Sequence, residues 1–209
     1  MDIRILPLGP IETNAFLLTD GADAVLIDAP MGAFDAVGEV LARSGATLGA
    51  LLLTHGHWDH TTDAHRFQAA GVPLHGHAGD RELFENPAVM APFLIPGVPL
   101  EPVRIDHWVE EGRPLGVLGK AVEVRHVPGH APGNVLFHFP EQSACFSGDA
   151  LFAGGIGRYD LPGGDFTTLE DSIRRKIYTL PEDTEIYPGH GPVTSVREEK
   201  RRNPFVRGG

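Results

Sequence analysis

Residues 54–60 read THGHWDH, three histidines and an aspartate within seven positions, directly after the apolar run ALLL of residues 50–53. That run suits a short strand buried on both faces. Four side chains that titrate, hydrogen-bond and bind metals are costly at the end of a buried strand unless they share a partner. His55 and His57 are two apart. In extended backbone this spacing sends both side chains to the same side, whereas a helix would send them to nearly opposite sides. The pair can therefore grip one cation. Asp59 and His60, further round the turn, can reach a second.

Three later stretches repeat the setting. His130 lies in VPGHAPGN, Asp149 in CFSGDALF and His190 in YPGHGP, each where a run of strand formers ends in a short loop. Gly129, Gly148 and Gly189 directly precede these residues and are predicted to let the backbone turn sharply. Histidine with carboxylate suits zinc, iron or manganese and is poor for calcium. Seven donors are too many for one tetrahedral ion. With Asp149 shared they make two four-donor sets, with room for a common water. The alternative, that these are ordinary surface or core histidines, fits any one of them but not the constellation.

The surrounding pattern is α/β. Strands are predicted at Ile3–Leu8, Ala15–Leu18, Ala24–Asp28 and Ala50–Leu53, then at Val103–Trp108, Ala121–His126, Val135–Phe139, Ala144–Ser147 and Glu185–Tyr187. Residues 33–43 place Phe34, Val37, Val40 and Leu41 at helical spacing, with Gly45 as a stop. Further helices are predicted over Asp63–Ala70, near Ala78–Asn86, around Thr167–Leu180 and at a tail near Ser195–Asn203. This alternation in two similar halves implies an α/β sandwich rather than a bundle or an all-β barrel.

The totals bound the class. At 209 residues the chain can bury a proper core. Its formal net charge of −11 argues against general nucleic-acid binding and against an anionic membrane surface. No apolar run approaches the roughly 20 residues that span a bilayer, and MDIRILPLGP does not read as a signal peptide. Cys145 is the single cysteine, so no disulfide forms within the chain and a reducing, cytoplasmic setting is expected. It sits mid-strand and reads as a buried small residue rather than a nucleophile.

THGHWDH, PGHAPGN, SGD and PGHG, in this order, resemble the metallo-β-lactamase fold superfamily along the whole chain. GPIETNAFLL, SGDALFAGGIGRYDLPGGD and REEKRRNPF are similar to stretches of its glyoxalase II-like (hydroxyacylglutathione hydrolase-like) hydrolases. The resemblance implies a four-layer αββα sandwich with a metal site at one edge of the sheets. It implies a first ion on His55, His57 and His130, a second on Asp59, His60 and His190, and Asp149 bridging them. Both would be divalent: zinc, or iron or manganese. The match is to the short single-domain type, residues 1–209, without the extra C-terminal helical domain of classical glyoxalase II. Thr62 and Asp63 depart from the usual small residues after the DH pair, and Ala15 stands where a cysteine is common.

The activity so implied is hydrolysis of a small-molecule thioester, S-lactoylglutathione or a related acyl thiol, by a hydroxide shared between the metals. Asp59 is the expected orienting group or proton acceptor. A thiolate whose parent pKa is about 8.5 leaves without much help from an acid. A glutathione-derived substrate is anionic and needs a local basic contact. Arg158 stands where the resemblance places one, with Tyr159 alongside; a salt bridge from Arg158 to Asp160 or Asp165 is the competing reading. The tail from Arg197 to Arg207 is either a second basic patch or a solvated helix face. His65, His75, His77, His107, His126 and His138 read as surface or supporting residues. Two rivals share the motif: a mono-iron persulfide dioxygenase using His55, His130 and Asp149, and a non-catalytic metal-binding protein.

Overall fold

The computed structural model describes residues 1–208. The chain forms two compact units, Met1–Trp108 and from Val109 onward, each built on its own six-stranded sheet. The mixed α/β class with two sheets is as expected.

In the first unit β1 (Asp2–Leu8), β2 (Thr13–Asp20) and β3 (Asp23–Ile27) run as an antiparallel meander. The chain then crosses over through helix α1 (Ala33–Ser44) into β4 (Thr47–Leu52), which is parallel to β3. A parallel pair requires such a crossover. A second crossover carries THGHWDH, α2 (Trp58–Thr61) and α3 (Ala64–Ala69) before β5 (Leu74–His77), parallel to β4. After a 3-10 turn and α4 (Arg81–Glu85), β6 (His107–Val109) completes the sheet in the order β1-β2-β3-β4-β5-β6.

Leu17, Leu26 and Leu51 of the three central strands, with Leu53 just past β4, pack with Ala33 and Val37 of α1 and Phe67 of α3. Burying each such leucine contributes about 2 kcal/mol. Gly45 ends α1 in the left-handed conformation, as predicted. The helix start is held from elsewhere. Gly32 has no side chain, and Asp63 Oδ2 instead accepts the amides of Gly32 (3.0 Å) and Phe34 (2.9 Å). The departure at Asp63 is therefore a helix cap supplied across the fold.

The second unit holds β7 (Leu115–Val117), β8 (Lys120–His126), β9 (Val135–Phe139) and β10 (Ala144–Gly148), antiparallel in sequence. A small hairpin follows, β11 (Leu151–Phe152) with β12 (Gly155–Ile156). Next comes α5 (Phe166–Ser172), capped by Asp165, and a π-helical stretch over Ile173–Ile177. The chain returns as β13 (Glu185–Pro188), parallel to β10, then β14 (Thr194–Ser195) and α6 (Val196–Arg202). The sheet order is β14-β13-β10-β9-β8-β7. Leu136, Cys145, Leu151, Leu169, Ile173 and Ile186 form its core. Cys145 is fully buried and its thiol is pushed up to about 12 by burial, which suits a packing role.

Several expectations need correction. Val103–Trp108 is strand only at its end, since Val103 and Ile105 are buried in non-strand backbone. The strand near Ala50–Leu53 spans Thr47–Leu52, with full burial only from Leu51. The helix around Thr167–Leu180 changes to π geometry at Ile173. Strand β5, which carries His75 and His77, was not predicted. Among the described residues no helix is long and apolar enough to cross a membrane.

The His75 ring packs against that of His107 on the neighbouring strand, tilted by 37° with centroids 4.8 Å apart. Burial, then the charge of His107, pushes its pKa down to about 4, against a weaker opposing effect of Asp106. Between pH 6.5 and 4 the unfolded chain therefore takes up a proton that the native ring refuses, so stability falls as pH falls through that window. The partly exposed ring limits this loss to about 1–2 kcal/mol. Thermal unfolding of His75→Gln against wild type from pH 7 to 4 is expected to show a shallower fall in the variant; identical slopes would contradict it.

Candidate metal centre

In the first unit β4 ends at Leu52, the chain bends at Thr54, and His57 is extended (φ −69°, ψ 147°) before α2 begins. His55 and His57 consequently meet, with ring centroids 4.7 Å apart, as the two-residue spacing predicts. One turn of helix brings His60 to 4.1 Å from the His55 ring, and its Nε2 to 3.3 Å from Asp59 Oδ2. All four side chains are buried.

A carboxylate that the sequence did not single out organises them. Asp28 is fully buried at the end of β3, in left-handed backbone (φ 59°). Its Oδ1 accepts the Thr54 amide (2.8 Å), and its Oδ2 accepts the Thr54 hydroxyl (2.7 Å) and His60 Nδ1–H (2.7 Å). Because the Thr54 hydroxyl donates to Asp28, its oxygen accepts from His55 Nδ1, 3.1 Å away. Both rings are thereby fixed with the proton on Nδ1, which leaves Nε2 able to coordinate. Asp80 accepts the Gly56 amide (2.8 Å), and Thr13 donates to Asp59 Oδ2 (3.2 Å). The signal for Asp28 was an acid ending a buried strand; Thr13 and Asp80 carried none.

In the second unit His130 and His190 flank Asp149. Their Nε2 atoms lie 3.6 Å and 3.4 Å from the same oxygen, Asp149 Oδ2. The loop carrying His130 is held by His126, whose Nε2–H donates to the Pro132 carbonyl (2.7 Å). His130 Nδ1–H donates to the Arg158 carbonyl (2.7 Å), which again leaves Nε2 able to coordinate. Gly129 has φ 122°, and a side chain there would strike Leu169 backbone at 2.3 Å. Gly148 is left-handed as expected, whereas around His190 the left-handed residue is Gly191 rather than Gly189. At Gly157 a Cβ would sit 1.9 Å from the Asp149 carbonyl and 2.9 Å from His130 Nδ1, so only glycine fits.

The donor chemistry in both units suits divalent transition metals: imidazoles beside carboxylates, with the Nδ1 atoms of His55, His60 and His130 held by hydrogen bonds. Arg158 makes a bidentate pair with Asp160 (2.7 and 2.8 Å), and this pair holds the Asp160 carboxyl down to about 2. Tyr159 is exposed, with its ring 5.2 Å from that of Phe166. His138 is buried and bonds Glu123 (3.2 Å), which is not one of the candidate donors.

Asp28→Asn tests the buried carboxylate cleanly, because Asn tolerates left-handed backbone. It is expected to weaken metal affinity about 10–100-fold, measured by competition with a chelator; wild-type affinity would contradict the role assigned to Asp28.

The metallo-beta-lactamase superfamily matches residues 8–190. The chain is 38% identical to hydroxyacylglutathione hydrolase GloC of Haemophilus influenzae, over 99% of this chain and 98% of that one. It is 36% identical to the probable metallo-hydrolase YqgX of Bacillus subtilis, over 100% and 99%. Among solved structures it superposes on the BLEG-1 B3 metallo-beta-lactamase with TM-score 0.90 (38% identity, 98% and 99% covered). TTHA1623 in a di-iron-bound form gives 0.85 (39%, 97% and 100%), and ETHE1 from Myxococcus xanthus 0.82 (29%, 100% and 85%). With donors and fold in agreement, the chain belongs to the metallo-beta-lactamase superfamily.

Proposed function

We propose that this chain is a binuclear metallohydrolase that cleaves a thioester, S-lactoylglutathione or a related acyl thiol. His55, His57 and His130 would hold one ion and Asp59, His60 and His190 the other, with Asp149 shared. The observation that supports this reading is the approach of His130 Nε2 (3.6 Å) and His190 Nε2 (3.4 Å) to the same oxygen, Asp149 Oδ2, which would let one carboxylate serve both donor sets. The likeness to GloC and to a di-iron protein supports the substrate class and the two-ion count.

Two divalent ions, when bound, supply a water nucleophile of lowered pKa and polarise the acyl carbonyl. The protein's own part is orientation. Thr13 fixes the Asp59 carboxylate, which can accept the proton that the attacking water gives up. Asp28 keeps the His55 and His60 rings from turning. The thiolate departs without a dedicated acid, since its parent pKa is about 8.5. Arg158 and Tyr159 are proposed to receive the anionic carrier, the guanidinium exchanging Asp160 for a substrate carboxylate.

A mono-iron persulfide dioxygenase on His55, His130 and Asp149 is the second reading, and the likeness to ETHE1 fits it equally. Thiol release from S-lactoylglutathione by protein supplied with zinc, iron or manganese in turn separates the two. Thiol release is expected with at least one metal, falling at least about 100-fold in Asp149→Ala. Oxygen uptake with glutathione persulfide, and no thiol release with any metal, would transfer the assignment to the dioxygenase. Arg158→Ala is expected to raise KM with kcat nearly unchanged, the sign of lost uniform binding; an unchanged KM would remove Arg158 from the substrate site.

A further inference from the structure

Most charges of the tail REEKRRNPF (197–205) are solvated pairs: Arg197 and Lys200 lie at 3.4 and 3.5 Å from Glu182, and Arg202 at 2.9 Å from Glu198. Such exposed pairs stabilise little. Glu199 and Asn203 differ, being 2% and 0% exposed. A buried carboxylate is tolerated only when its oxygens are satisfied, and those of Glu199 are. Its Oε1 accepts the Thr194 hydroxyl (2.7 Å), and its Oε2 accepts the Gly154 amide (3.0 Å) and Asn203 Nδ2 (2.8 Å). Asn203 Nδ2 also donates to the Gly155 carbonyl (3.0 Å), while its Oδ1 accepts the amides of Phe205 (3.0 Å) and Val206 (3.1 Å).

Gly154 and Gly155 lie at the tip of the β11–β12 hairpin, so these bonds fasten the tail to that tip. The hairpin in turn reaches every metal donor of its unit. The Phe152 ring meets His190 edge-on, with centroids 5.9 Å apart. Gly157, two residues past the tip, lies against the Asp149 carbonyl, and the next carbonyl, of Arg158, orients His130.

We infer that Glu199 and Asn203 are positioning residues for His130, Asp149 and His190, acting through the hairpin they clamp. The inference rests on the metal-centre reading above for its consequence and on the hydrogen bonds alone for the clamp. It gives the closing motif of the chain a function in the site, although neither residue touches a metal donor.

Three variants test it. Asn203→Asp keeps the acceptor for the Phe205 and Val206 amides but removes the donor to Gly155 and sets two carboxylates face to face. Glu199→Ala removes the clamp. Glu199→Gln retains an acceptor for Gly154 and an amide that can donate to the Thr194 hydroxyl, so it should rescue. Hydrogen–deuterium exchange on the metal-free chains is expected to rise across residues 150–158 in Asn203→Asp and Glu199→Ala but not in Glu199→Gln. Cobalt titration, followed by visible absorption, is expected to show affinity at least about tenfold weaker in the first two. Exchange that rises only in the tail, or hairpin exchange that rises with cobalt affinity unchanged, would overturn the inference. A wild-type chain that takes up no cobalt would defeat the metal-centre reading, whereas the exchange measurement decides the clamp by itself.

Discussion

A single buried carboxylate ties the first unit's architecture to its chemistry. Asp28 ends β3 where the backbone turns left-handed, and its amide makes a last ladder bond to the Leu52 carbonyl (2.9 Å). Its two oxygens collect one amide, one hydroxyl and one imidazole N–H from the segment that follows β4. An unpaired charge in that position would be strongly destabilising, and three donated hydrogen bonds offset the cost. The parallel β3–β4 pair is what makes this possible, because it sets the ends of both strands side by side. Sheet topology thus delivers the loop of candidate donors, and Asp28 fixes the tautomers of His55 and His60 within it.

The second unit solves the same problem differently. Its donors stand on three separate loops, so no single residue can orient them all. The β11–β12 hairpin and the two residues after it contribute instead: the Phe152 ring meets His190, the Arg158 carbonyl accepts from His130, and Gly157 packs against Asp149 too closely for any side chain. Each unit therefore supplies its donors already oriented. Such pre-orientation reduces the ordering that metal binding would otherwise require.

How much of this was legible in the sequence follows from the range of the interactions. The two-residue spacing of His55 and His57 is local, and extended backbone realises it directly. Helix α1 was legible from its 3.6-residue period and its glycine stop. Asp28 and His60 are 32 residues apart, and only the strand pairing brings them together. Glu199 and Asn203 looked like two more polar residues in a charged tail, because composition does not reveal which carboxylate the fold will bury. Strand β5 was missed because LHGH has too few apolar residues to show a strand pattern. Val103–Trp108 was overread because buried apolar residues in irregular backbone give the same signal as a strand.

Anomalous X-ray scattering from crystals of the metal-loaded protein tests the two-ion centre most directly. Two ions about 3.5–4 Å apart are expected, one on His55, His57 and His130, the other on Asp59, His60 and His190, with Asp149 touching both. A single ion on His55, His130 and Asp149, or ions bound elsewhere on the chain, would contradict it.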